Sequence, residues 1–170
     1  MLAALLAAGG TVVSSDRLVE ALWGDDAPAN PVAALHNQVS RLRRLLAGPG
    51  RWDLMTEAEG YRLVAAGDDL DAARFERLVA EAGELADSGD EVTAVVRYDE
   101  ALRLWRGEPY GELADRECVQ SEAARLNELW VQAREAHAGV LVALGRTTQA
   151  VLALEALAND HPLRSGLTSC

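Results

Sequence analysis

Asn30-Pro-Val-Ala-Ala-Leu-His-Asn-Gln-Val-Ser-Arg-Leu-Arg-Arg-Leu-Leu-Ala-Gly48 reads as one helix with both ends written in. Asn30 can cap the first free backbone N–H groups, and Pro31 suits the first turn. Gly48 stands where a left-handed C-terminal residue belongs. Leu35, Val39, Leu42 and Leu46 recur at helical spacing and form one apolar stripe. His36, Asn37, Ser40, Arg41 and Arg44 fall away from that stripe, with Arg43 on its flank. No acidic residue occurs between Asp26 and Asp53, in a chain of formal charge -11. A polar, arginine-rich face anchored by an apolar one suits a DNA major groove.

The flanks agree with that reading. Ser14 and Ser15 are N-cap candidates for a preceding helix, Asp16–Trp23, stopped at Gly24. A short loop, Asp25–Ala29, leads into the basic helix, which makes a helix-turn-helix layout. Downstream, Trp52–Thr56 and Tyr61–Ala65 predict two short strands, turned at Glu57–Gly60. A hairpin behind a helix-turn-helix is a wing. Arg41, with Arg44 beside it, is the first candidate for a base-edge or phosphate contact. Arg43 is expected on the DNA backbone. Asn37 and His36 lie one turn earlier, and asparagine can pair with adenine through two hydrogen bonds. Ser40 fits a phosphate better than a base, and Thr56 and Arg62 on the hairpin are further phosphate candidates. The plain alternative is a solvated arginine-bearing surface.

Beyond Gly67-Asp-Asp69, a plausible boundary, the pattern predicts four helices near 71–88, 91–105, 117–144 and 147–160. Phe75, Leu78, Ala82 and Leu85 share one face. Val95, Tyr98, Leu102 and Trp105 share another. On the long third helix, Val119, Ala123, Leu126, Trp130, Ala133, His137, Val140 and Leu144 alternate steps of four and three. Ala150, Leu154 and Leu157 mark the last helix, which His161-Pro162 should end. Helix pairs with glycines at the turns suggest tetratricopeptide-like stacking, which presents surfaces to partners. His137, Trp105 and Trp130 read as packing residues, and Cys118 as structural.

The order of short motifs resembles a known family. Ser14-x-Asp16-Arg17-Leu18, Val39-Ser-Arg-Leu-Arg-Arg44 and Gly60-Tyr-Arg62 look like the OmpR/PhoB type of winged helix. Asp16-Arg-Leu-Val-Glu-Ala-Leu-Trp-Gly24, taken with Val39–Arg44, is closer still to the SARP family of bacterial transcriptional activators. Asp71-Ala-Ala-Arg-Phe-Glu76, Ala101-Leu-Arg-Leu-Trp-Arg-Gly107, Glu122–Leu129, Ala143-Leu-Gly-Arg146 and His161-Pro-Leu-Arg164 are similar to that family's bacterial transcriptional activation domain. The resemblance implies a mainly α fold. An incomplete winged helix-turn-helix with a short β-hairpin wing (1–66) would precede an all-α tetratricopeptide-like domain (67–170). It also implies an activator of a biosynthetic pathway. Two copies would bind double-stranded DNA as a homodimer on a direct repeat and recruit RNA polymerase or a sigma factor.

Two departures stand out. The tip Thr56-Glu-Ala-Glu-Gly60 carries two carboxylates where the family has a basic or neutral turn. The family's winged helix begins with several strands, whereas this chain opens at Leu2-Ala-Ala-Leu-Leu6, within the first helix. It should leave Leu5, Leu18, Leu22 and Leu42 partly uncovered. The end after Arg164 is also short, so the chain reads as trimmed at both ends. Both departures favour a second reading, a helical protein-interaction module that does not bind DNA by itself.

Composition narrows the classes. A chain of 170 residues with 49% hydrophobic residues can build one large or two small cores. No apolar run is long enough to span a membrane, and Met1–Ala8 lacks the basic leader of a signal peptide. Cys118 and Cys170 form no metal or disulfide pattern, which reads as a reduced, cytoplasmic protein. All 16 cationic side chains are arginine. Residues 1–66 hold six arginines against seven carboxylates, and residues 67–170 hold ten against twenty. Long-range attraction to DNA should therefore be weak, and affinity must come from close contacts or a second protomer. Phosphate loops, zinc-protease and nucleophile-elbow motifs are absent from the sequence, so no enzyme and no cofactor is expected.

Overall fold

The computed structural model describes residues 1–47, 52–65 and 70–160. Gly48, the Gly67–Asp69 boundary and His161-Pro162 lie outside the described residues. The chain forms two compact units, Met1–Leu70 with Gly107–Arg125, and Asp71–Arg106 with Leu126–Cys170.

In the first unit, helix α1 spans Leu2–Ala7, strand β1 Val13–Ser14, helix α2 Ser15–Trp23 and helix α3 Pro31–Leu46. A single 3₁₀ turn, Gly24–Asp26, follows α2. Strands β2 (Trp52–Glu57) and β3 (Gly60–Ala65) form the hairpin. The expected caps are in place. Ser14 accepts a hydrogen bond from the Arg17 N–H, and the Asn30 side chain accepts one from the Ala33 N–H. Pro31 occupies the first turn of α3, where its missing N–H costs nothing.

The sheet has a third strand that the sequence pattern does not reveal. Its order is β1-β3-β2, all antiparallel. Val13 pairs with Tyr61, and Ser14 with Gly60. Gly60 is where this works. A Cβ there would lie 2.0 Å from the Val13 carbonyl oxygen and 2.8 Å from the Ser14 Cα. The bare backbone lets β1 close on β3.

The expectation of partly uncovered leucines fails for three of the four. Leu5, Leu18 and Leu42 are buried, Leu18 at 0% exposure, and Leu22 is half-buried. They share a core with Leu35, Val39, Leu54, Tyr61 and Leu63. The helices bury their stripes against the inner face of the three-stranded sheet, and half-buried Cys118 packs on the same core.

In the second unit, α4 spans Asp71–Asp87 and α5 Glu91–Arg103. Helix α6 runs Glu117–Ala143, beginning in the first unit and continuing into the second. Helix α7 spans Thr147–Asp160. The four expected helices are present within two residues at every end. Between α4 and α5, Gly89 has φ 83° and the Asp90 N–H reaches the Leu85 carbonyl at 2.9 Å. Between α6 and α7, Gly145 has φ 73° and the Arg146 N–H reaches the Leu141 carbonyl at 2.8 Å. Both are the same glycine-closed helix ending. Two helix pairs made with one turn are the repeat-like feature of this unit.

Its core joins Phe75, Leu78 and Ala82 to Ala94, Val95 and Tyr98, and to Ala133, Ala138, Leu141 and Ala150. Trp105 stacks on Trp130 at 5.3 Å and leans on Phe75 at 5.6 Å, as expected of packing residues. One face differs from the expected pattern. Leu154 is 43% exposed, while Ala150 and Leu157 are buried and Ala153 is half-buried. The inward stripe of α7 therefore runs 150, 153, 157, and Leu154 lies to one side of it.

Candidate nucleic-acid interface

Helix α3 sets the geometry. Leu35, Val39 and Leu42 are buried beneath it, with Leu46 half-buried on the same core. His36, Asn37, Ser40, Arg41, Arg43 and Arg44 all lie outside that buried stripe. Asn37, Ser40, Arg41 and Arg44 share the side opposite it, at i, i+3, i+4 and i+7. Arg44 Nε makes one long hydrogen bond, 3.4 Å, to the Ser40 carbonyl. Among the described residues, neither Arg41 nor Arg44 forms an ion pair. Two cations thus stand one turn apart on a helix face that offers them no carboxylate.

The side of α3 nearer the hairpin bounds an open groove of about 580 Å³. His36, Ser40, Arg43 and Arg44 line it from the helix, and Thr56 and Tyr61 from the hairpin. The structure therefore brings five of the eight expected residues to one groove, all of these except Tyr61. Asn37 and Arg41 share the outer face of the helix with Arg44. Arg62 lies on β3 and is engaged elsewhere.

Two of the eight are committed inside the protein. Arg62 Nη2 sits 2.8 Å from Glu57 Oε1 and 3.6 Å from the Met55 sulfur. That pair neutralises one of the two carboxylates at the hairpin tip. The Arg62 Nε is buried with no hydrogen-bond partner among the described residues. Arg43, expected on the DNA backbone, donates to the hairpin. Its Nε and Nη2 reach the Leu54 carbonyl at 2.9 and 2.7 Å, and Nη2 also reaches Thr56 Oγ1 at 2.8 Å. Sequence reasoning missed this contact, because nothing local to Arg43 signals a carbonyl eleven residues away.

His137 stands in the second unit, and its neighbour is a carboxylate. Its side chain is 12% exposed, and Nε2 lies 3.3 Å from Asp99 Oδ1. Burial holds its pKa below the ordinary 6.5, against the opposing pull of Asp99. It packs beside the Tyr98 ring, as a packing histidine should. No group of His, Cys, Asp and Glu among the described residues could hold a metal ion. No helix among them is long and apolar enough to cross a membrane.

Residues 1–63 match the family model described as "Transcriptional regulatory protein, C terminal". Residues 70–169 match "Bacterial transcriptional activator domain". The chain is 35% identical over 158 residues to the transcriptional regulatory protein EmbR of Mycobacterium tuberculosis, covering 91% of this chain and 41% of that protein. It is 31% identical over 166 residues to the regulatory protein DnrI of Streptomyces peucetius, covering 93% and 61%. Against the regulatory protein AfsR of Streptomyces griseus it is 31% identical over 167 residues, covering 98% and 17%. The chain thus spans less than two thirds of the length of each.

A small winged helix-turn-helix followed by paired helices agrees with those two family models, and the named relatives are regulatory proteins. The chain belongs to the SARP family of such regulators and carries its bacterial transcriptional activator domain.

Proposed function

We propose that the chain is a DNA-binding regulator that lays α3 in the major groove. The observation that carries this is the pair Arg41 and Arg44. Both are exposed, one turn apart, in a stretch with no carboxylate between Asp26 and Asp53, and neither forms an ion pair among the described residues. A bidentate arginine–guanine contact supplies roughly 1–3 kcal/mol of discrimination. Phosphate contacts from Ser40, His36 and Thr56 would set the register, with Asn37 a second base reader. The Glu57–Arg62 pair eases the objection to an acidic wing, since it neutralises one of the two carboxylates at the tip. Family membership supports activation of transcription, and the target we propose is a biosynthetic pathway. Two copies would sit on a direct repeat and contact RNA polymerase or a sigma factor.

A second reading has its own observation. Helix α7 leaves Val151, Leu152 and Leu154 exposed at 47, 60 and 43%. That face favours a protein-interaction module that works without reading DNA. Selection from a pool of short genomic duplexes at two salt concentrations separates the two. Enrichment of a sequence subset that survives the higher salt supports the regulator. Uniform, weak recovery supports the interaction module.

A further inference from the structure

Among the described residues, strand β2 is an edge strand, paired on one side with β3. An edge strand presents carbonyls with no ladder partner. Leu54 is such a residue: its side chain is buried in the core and its carbonyl oxygen takes two hydrogen bonds from Arg43. The third bond goes to Thr56 Oγ1, two residues further toward the tip. A guanidinium is planar and its N–H groups diverge at fixed angles. Holding two acceptors with one such fork sets both the distance and the tilt of the strand against the helix. Arg43 shares α3 with Arg41 and Arg44, so the fork links the reading face to the hairpin.

We propose that Arg43 is a positioning residue that fixes the hairpin against the recognition helix, and does not itself contact DNA. The proposal rests on the reading of α3 as a DNA-binding helix. The guanidinium already makes three hydrogen bonds inside the protein. Turning it to a phosphate would strip the Leu54 carbonyl of the partner it has. With the fork in place, Thr56 enters the complex at a set height above α3, and the groove between helix and hairpin keeps one width.

The test uses arginine Nε resonances of the full chain, assigned by single replacements. In the free protein, the Arg43 Nε–H should exchange slowly, unlike those of Arg41 and Arg44. Thr56→Val should shift its signal, and Thr56→Ser should restore it. On adding short mixed-sequence duplexes, the Arg41 and Arg44 signals should move while the Arg43 signal stays. Affinity for the same duplexes gives a second readout. Lysine keeps the charge and serves phosphate well but cannot make the fork. Arg43→Lys should therefore weaken binding as much as Arg43→Ala, about tenfold in each, with retained cooperative thermal unfolding of the first unit as the control for folding. Fast exchange of the Arg43 Nε–H in the free protein overturns the proposal. So does movement with DNA equal to that of Arg41, or near wild-type affinity of Arg43→Lys. If no arginine signal moves with DNA but the Arg43 signal is protected and depends on Thr56, the clamp stands and the DNA-binding reading falls.

Discussion

Three arginines within four positions of α3 have different environments, and their chemistry follows. Arg41 and Arg44 face outward without an ion pair among the described residues, while Arg43 is spent on Leu54 and Thr56. Arg41→Ala should relax base preference at one or two positions of the enriched site, which competition among single-base variants of that site measures. Arg44→Ala should flatten the dependence of log affinity on log salt by about 0.9, the increment of one phosphate contact. A variant that loses affinity at unchanged slope would show that Arg44 has another role. His137 makes a separate claim. Its folded-state pKa is depressed by burial, so the folded state disfavours protonation relative to the unfolded chain. The associated stability is present above the ordinary value of 6.5 and is lost as pH falls through it toward the lower folded value. Denaturant midpoints of the second unit should drop between about pH 7.5 and about pH 5 by more in the natural chain than in His137→Asn. Equal drops would assign the acid sensitivity to other groups.

At the scale of the element, Gly60 holds the most consequence for its size. Adding one methyl places a carbon 2.0 Å from the Val13 carbonyl oxygen, and the obstacle is backbone. Gly60→Ala should separate β1 from β3 at a cost of about 1–3 kcal/mol, the range for overpacking. Faster amide exchange at Tyr61 and an unfolding midpoint lowered by several degrees would be the readout, and an unchanged midpoint would contradict it. Strand β1 is not legible in the sequence, because two residues carry no alternation and Val13–Ser14 is a strand only through its distant partner. The helices are legible, since their ends are written by neighbours: Ser14 and Asn30 each accept a hydrogen bond from the N–H three residues on. The stripe of α7 is easily misread because alanines alternate with leucines there, and small residues mark a buried face less distinctly than large ones. Of the site, the helix and its exposed cations can be read from periodicity and charge. The commitments of Arg43 and Arg62 cannot, since both depend on where the hairpin lies.

The whole molecule is strongly acidic, and α3 lies in its acid-free stretch between Asp26 and Asp53. Residues 107–125, which join the first unit, bring five further carboxylates and two arginines to it. Nonspecific attraction to phosphate must therefore be modest, and a small number of close contacts has to carry recognition. The decisive measurement compares the full chain with its Arg41→Ala, Arg44→Ala double variant on an enriched duplex and on a scrambled one, at two salt concentrations. The natural chain should prefer the enriched duplex by at least about a hundredfold, a difference of roughly 2.7 kcal/mol. The double variant should bind both alike, with its unfolding midpoint unchanged. Equal binding of the two duplexes by the natural chain, or a preference that survives loss of both arginines, would contradict the reading of α3 as a DNA-binding helix.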